Sequence, residues 1–306
     1  MEEVKVFAPA TVANVSCGFD VLGFCLDHIG DEVIVRKSDT PGVRITRIEG
    51  QDLPLATKEN VAGVAVEALL EKTETPYGFE IEIIKGIKAG SGIGSSAASS
   101  AGAVVGVNAL LGEPFSRNEL ISFAMEGEKL ASGAAHADNV SPALLGGFTL
   151  VRCGKKPDVI SLPAPAALYA TIIHPKIELR TADARSVLKK TIPLEKAIQQ
   201  WGNVGALVSG LYTDNYDLIS RALVDVIIEP ERSVLIPHFN ELKTAALAAG
   251  GLGGGISGSG PSLFTLSRGE EVAENVRQAL IKCFEPHGIP FDTFVSKINA
   301  QGTKII

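Results

Sequence analysis

The chain has 306 residues, 45% of them hydrophobic and 21% charged, and a formal net charge of −7. Those proportions exclude a disordered chain, and the absence of a basic cluster or tail excludes nucleic acid and an anionic membrane as main partners. A length of about two ordinary domains of ~150 residues predicts a two-domain protein. An anionic small molecule stays compatible with the charge, because a binding site needs only local donors. The N-terminal MEEVKVFAPA lacks the basic and apolar regions of a secretion signal. The most apolar stretch, Ala97–Leu111, is shorter than the ~20 residues of a spanning helix. Cys17, Cys25, Cys153 and Cys283 form no CxxC pair and no zinc spacing, so reduced thiols in a cytoplasm are expected.

In chain order, Val4–Ala8, Glu32–Lys37, Val43–Ile48 and Phe79–Lys85 are short, β-branched and partly alternating, which predicts strands. Asn60–Lys72 carries Val61, Val64, Ala65, Ala68 and Leu69 on one helical face. Ser96–Leu111 predicts a largely buried helix, and Ser116–Ala131 opens with a Ser-x-x-Glu capping box. A short helix is expected over Asn139–Leu145 and a strand over Phe148–Arg152. The proline-bearing segment that follows predicts a domain boundary near residue 155, dividing the chain into 1–155 and 156–306. The second half predicts strands at Leu168–His174, Leu263–Leu266 and Asp292–Asn299. Its helices are expected at Ala182–Lys190, Leu194–Tyr212, Ile236–Ala249 and Glu270–Glu285. Strands and helices mix without regular alternation, so the expected class is α+β.

Four stretches carry chemistry. GSGIGSSAA, residues 90–98, lies between a strand and an apolar helix. Its glycines Gly90, Gly92 and Gly94 can turn backbone N–H groups inward, around Ser91, as a nest for phosphate oxygens. Ser95 and Ser96 then fall at a helix N-terminus, which favours an anion. No Gly-Lys-Ser/Thr follows, so this is not a Walker A loop, and no GxGxxG opens a first βαβ unit. A second glycine-rich run, residues 253–262, reads equally as a flexible hairpin; together the two suggest one composite anion site between domains. In APATVANVSCGFDVLG, residues 8–23, Asn14 and Asp20 are either turn formers or ligands. In EGEKLASGAAHADNVSPA, residues 126–143, Glu128 is a solvated helix carboxylate or a Mg²⁺ ligand. His136 is a structural histidine or a contact to ligand, and Asp138 and Asn139 are helix caps or site residues.

Taken together these stretches resemble the signature motifs of the GHMP kinases (galactokinase, homoserine kinase, mevalonate kinase, phosphomevalonate kinase). The opening motif, Pro9 to Gly23, and HADNV, residues 136–140, are most similar to the homoserine kinase branch. TADAR at 181–185 and IEPERSVLIP at 228–237 resemble that branch's two substrate-arginine segments, and the matches run in order along essentially the whole chain. Two departures stand out: Val15-Ser16-Cys17 replaces the usual Leu-Gly-Pro before Gly18, and Lys88 replaces a common Pro.

The resemblance implies a two-domain GHMP kinase fold. Its first domain would resemble ribosomal protein S5 domain 2, its second would be ferredoxin-like, and ATP would lie between them. It implies transfer of the γ-phosphoryl group of ATP to the side-chain hydroxyl of L-homoserine, the route to threonine. Alignment and charge neutralisation carry most of such a reaction. By similarity Gly90, Ser91, Gly92, Gly94, Ser95 and Ser96 would cradle the phosphates, with Asn60 near the adenine end. Ser96, then Ser95, with Glu128 would hold Mg²⁺. Arg185 and Arg232 would clamp the substrate carboxylate and Asp20 would take its ammonium group. Asn14, His136 and Thr181 would complete the substrate site, and Asn139 with Asp138 would orient the acceptor hydroxyl. Members of the family often dimerise, which leaves room for a homodimer. A mevalonate or shikimate kinase, a decarboxylase of the same superfold and a silent ligand-binding relative are the rival readings. The first would leave Asp20 without an ammonium partner. HADNV argues against the second, and retention of Ser95, Ser96 and Glu128 against the third.

Overall fold

The computed structural model describes residues 2–133, 136–152 and 157–306. The first half is built on strands β1 (Glu3–Ala13), β2 (Leu22–Ser38), β3 (Val43–Glu49) and β4 (Gly78–Ile84). β2 is 17 residues long. β1 pairs with both of its ends, β4 with one and β5 (Phe148–Arg152) with the other. β3 runs parallel to β4, and β6 (Asp158–Leu162) pairs with β5. The expected boundary residue, Lys155, lies outside the described residues, and the strand that follows it still belongs to this first sheet.

Three helices cover one face: α1 (Val61–Leu70), α2 (Ser95–Leu110) and α3 (Arg117–Ser132). The composition of α2 explains its position. Alanine, glycine and serine let it lie close on the sheet, where a Cβ on Gly102 or Gly106 would stand 2.6 or 2.5 Å from Val33 or Val35. Val33, Val35, Ile81, Ala101 and Val104 form the core of this layer. The capping box at the start of α3 is formed, with Ser116 and Glu119 satisfying each other's backbone. A short helix α4 (Val140–Leu145) leads into β5.

The second half has an antiparallel sheet in the order β10-β7-β9-β8, where β7 is Leu168–Pro175, β8 Gly253–Ile256, β9 Leu263–Arg268 and β10 Phe291–Lys297. Its helices are α5 (Thr181–Ser186), α6 (Leu194–Tyr212), α7 (Tyr216–Ala222), α8 (Glu229–Arg232), α9 (Phe239–Ala248) and α10 (Glu270–Phe284). A final strand, β11 (Lys304–Ile305), returns to pair with β1. One apolar cluster joins Ala8, Val12, Phe24 and Phe148 of the first half to Ala170, Ile172 and Phe264 of the second. The two halves therefore share a core, and the architecture is α+β as expected. Cys17, Cys25 and Cys283 are free thiols; Cys153 lies outside the described residues.

Candidate active site

The glycine-rich loop before α2 takes the conformation its glycines permit. Gly90, Gly92 and Gly94 all have positive φ, at 78°, 79° and 72°. Gly94 is the residue the site can least replace: an added Cβ would stand 1.9 Å from Thr11 Oγ1 and 3.1 Å from Asn139 Oδ1. Its missing side chain lets Thr11 donate a 2.8 Å hydrogen bond to Asn139 Oδ1. Gly94 brings no side-chain cap to α2, so the first-turn amides of a 16-residue helix open beside the loop.

The second glycine-rich run folds against the first. Ser257 Oγ donates to Gly92 O at 2.7 Å, and Ser262 Oγ donates to Ser91 O at 2.6 Å. Asn14 Nδ2 donates to Gly258 O at 2.6 Å, and Gly258 N donates to Ala13 O at 3.2 Å. Three segments far apart in sequence thus meet along one seam. Residues 253–256 are strand β8 rather than part of a free loop, because pairing with β9 supplies the backbone partners their missing side chains cannot.

A buried polar network braces the loop from beneath. Lys85 at the end of β4 pairs with Asp31 of β2, and Lys85 Nζ donates to Ser95 O at 3.2 Å and Ser99 Oγ at 2.9 Å. Asp31 Oδ1 accepts from the backbone of Gly86 and Ile87. Ser95 Oγ is committed to Ile87 O at 3.0 Å. Ser96 instead faces Glu128 and favours its charged form, and Glu128 Oε1 is buried without a partner. Burial pushes the Glu128 carboxyl up to about 7, against the pull of Ser96. An unpartnered carboxylate oxygen beside a hydroxyl is an all-oxygen donor set, and it fits a hard divalent cation such as Mg²⁺. Lys88 is exposed.

The charged residues expected to bind substrate converge at the other end of the seam. Arg185 Nη2 donates to Asp20 Oδ1 and Oδ2 at 2.8 and 3.1 Å, and lies 2.8 Å from His136 Nε2. His136 Nδ1 is 3.7 Å from Asp20 Oδ1. Burial holds His136 below its ordinary range. Arg232 is buried, donating from Nε to Ala184 O at 2.9 Å and from Nη1 to Gly258 O at 3.3 Å. The guanidinium carbons of Arg232 and Arg185 stand 4.9 and 5.5 Å from the ring centre of Phe19. Burial, then Arg185, bring Arg232 down to about 10. Asp138 is buried, and burial, then Asp20 and Glu128, push its carboxyl up to about 7. Asn14, Phe19, Arg232 and Gly258 line a small pocket. Thr181 Oγ1 lies 3.3 Å from Ser259 Oγ.

Asn60 lies apart from these contacts: it caps α1 through Ala62 and Gly63 N–H and donates to Pro54 O, while Ser91 meets the seam through its carbonyl alone. Sequence reasoning did not single out Thr11, Phe19 or the Asp31–Lys85–Ser99 network. Asp31 carried a signal, since it shares strand parity with the apolar Val33 and Val35 and so brings a charge to a core-facing position.

The chain resembles known proteins along its whole length. The family models described as GHMP kinases N terminal domain and GHMP kinases C terminal match residues 60–147 and 203–286. A homoserine kinase of Chlorobium phaeobacteroides (strain DSM 266) is 48% identical, covering 100% of both chains. One from Chlorobaculum tepidum is also 48% identical, over 100% of this chain and 99% of its own. The crystal structure of homoserine kinase from Cytophaga hutchinsonii superposes with a TM-score of 0.96 at 53% identity, covering 100% of this chain and 98% of that one. The chain belongs to the homoserine kinase family of the GHMP kinases.

Proposed function

We propose that the chain transfers the γ-phosphoryl group of ATP to the side-chain hydroxyl of L-homoserine, giving ADP and O-phospho-L-homoserine. The observation that carries the reading is the meeting of Asp20, His136, Arg185 and Arg232 around Phe19. Homoserine is a zwitterion, so its site needs an anionic and a cationic pole. Two guanidinium groups supply a fork for the carboxylate and Asp20 a partner for the ammonium group. A mevalonate or shikimate acceptor would leave the Asp20 pole unused.

The loop of residues 90–96 and the N-terminus of α2 are assigned to the ATP phosphates, where backbone donors and the helix dipole stabilise negative charge. Ser96 and Glu128 would hold Mg²⁺, which when bound neutralises charge on the phosphate oxygens. Ser95 helps by fixing the loop through its bond to Ile87 O. Asn139, held by Thr11, orients the acceptor hydroxyl, with Asp138 beside it. The hydroxyl proton leaves through an oxygen of the transferred phosphoryl group, so no strong base is needed. Asn14 ties Asp20 N to Gly258 in the turn after β8, and Thr181 closes the edge beside Ser259. Asn60 shapes the adenine end through the start of α1. The free thiols suit a cytoplasmic setting. The exposed apolar stripe Leu194, Ile198 and Trp201 on α6 supports assembly as a homodimer.

A coupled ADP-release assay with Mg-ATP tests the reading, comparing L-homoserine with mevalonate, shikimate, galactose, L-serine and no acceptor. ADP release specific to homoserine, with phosphohomoserine seen by mass spectrometry, is the expected result. Turnover with mevalonate or shikimate but not homoserine would overturn the assignment of Asp20, Arg185 and Arg232.

A further inference from the structure

A second cluster of donor side chains lies on the second half of the chain, outside the seam. His238 stands immediately before α9, Glu241 lies in the first turn of that helix, and His287 ends the short 3₁₀ turn that follows α10. His238 Nδ1 is 3.0 Å from Glu241 Oε1, and His287 Nε2 is 3.6 Å from Glu241 Oε2. One donor atom from each of the three residues lies within 4.8 Å of the others. Around a tetrahedral zinc ion with bonds of about 2.0–2.1 Å, neighbouring donors are roughly 3.3 Å apart. The two measured separations fall on either side of that spacing.

Ring packing defines the local geometry of the cluster. His238 adopts a left-handed backbone with φ 59°, a conformation unfavourable for a residue with a side chain. The two imidazole rings stack with centroids 3.3 Å apart and planes 15° from parallel, so one ring must swing out of the stack for both in-plane lone pairs to meet one ion. Fully buried Phe284 packs edge-on against both rings, at 6.1 and 6.0 Å, and fixes them from one side. None of these residues has a part in the phosphoryl-transfer reading.

We propose that His238, Glu241 and His287 form a binding site for a divalent transition-metal ion. Two imidazoles and one carboxylate match zinc, whereas the oxygen set at Ser96 and Glu128 matches magnesium, so the chain would separate the two ions by donor chemistry. A bound ion would join the start of α9 to the end of α10. His238 follows Arg232 by six residues, so the same ion would anchor the segment that carries Arg232.

The test uses the untagged full chain, stripped with chelator, and zinc chloride as the probe. Titration calorimetry and metal analysis after gel filtration are run on the unaltered chain, His287→Asn, the double variant His238→Ala/His287→Ala, and Glu128→Gln. The expected result is one zinc per chain with a rise in melting temperature, weakened at least ~10-fold in His287→Asn and abolished in the double variant. Glu128→Gln should retain the zinc. His287 is on an exposed turn, so His287→Asn should keep the zinc-free melting temperature and the homoserine-dependent ADP release of the unaltered chain. Equal zinc affinity in the unaltered chain and the double variant, or no zinc bound at micromolar concentration, would overturn the proposal.

Discussion

The two ends of the seam are made of different materials. The end assigned to the phosphates is mostly backbone: positive-φ glycines at 90, 92 and 94, the open amides of α2, and hydroxyls of Ser257 and Ser262 clamping carbonyls of the loop. The end assigned to the acceptor is mostly charged side chains, drawn from the N-terminal motif, the segment before α4, α5 and α8. Backbone donors at a fixed spacing suit a ligand whose phosphates are always the same. Paired side-chain charges suit discrimination among small acceptors, because a wrong acceptor leaves a buried charge without its partner. Changes at the first end should therefore act on turnover and ATP, and changes at the second on the acceptor.

The sharpest break at the phosphate end is Gly94→Ala. It adds a side chain to a left-handed position and strikes Thr11 and Asn139 together. Steady-state kinetics should show kcat/KM falling roughly a thousandfold, in the range expected when a preorganised anion site is disrupted. Glu128→Gln keeps shape and removes charge; turnover at limiting Mg²⁺ should drop about a hundredfold and recover in part at high Mg²⁺. Full activity at limiting Mg²⁺ would reject Glu128 as a ligand.

Lys85→Met reaches the same end from below. It leaves Asp31 buried without its cation, so denaturant titration should show a loss of about 3 kcal/mol. The Ser95 carbonyl also loses its anchor, so the ATP KM should rise roughly tenfold while the homoserine KM holds. Equal rises in both would mean that the network only stabilises the fold.

The smallest effect is a pH dependence at the acceptor end. Asp138 keeps its proton up to about pH 7 in the folded chain but only up to its ordinary 3.8 when unfolded. Between these values the folded state holds the extra proton, so this group favours folding most at low pH, and its contribution is lost as pH rises through about 7. Asp138→Asn should flatten the fall in melting temperature between pH 5.5 and 8.5 by about 4 °C. An unchanged slope would assign the pH dependence elsewhere.

The contrast between the ends also explains what could be read from the sequence. The phosphate loop was legible because its chemistry is local: alternating glycines and two serines must turn the chain, whatever surrounds them. The capping box at Ser116 was legible for the same reason. Asp20, Arg185 and Arg232 have ordinary solvated-charge neighbourhoods in sequence, and only the resemblance of whole motifs gathered them. β6 and β11 were not anticipated, because their pairing with β5 and β1 is set by tertiary contact rather than by strong alternation. Residues 253–256 read as a loop because three glycines hide a strand that β9 completes. Asp31 and Lys85 lie 54 residues apart, and their pairing becomes visible only once β2 and β4 are neighbours.

The most direct test of the division between the two ends is a pair of KM measurements on Arg232→Leu and Ser96→Ala. Arg232→Leu should raise the homoserine KM about a hundredfold, as expected for loss of one partner from a buried charge pair, and leave the ATP KM within about twofold. Ser96→Ala should lower turnover at limiting Mg²⁺ and leave the homoserine KM near its starting value. An unchanged homoserine KM in Arg232→Leu, or parallel rises in both KM values, would contradict the assignment of that arginine to the acceptor.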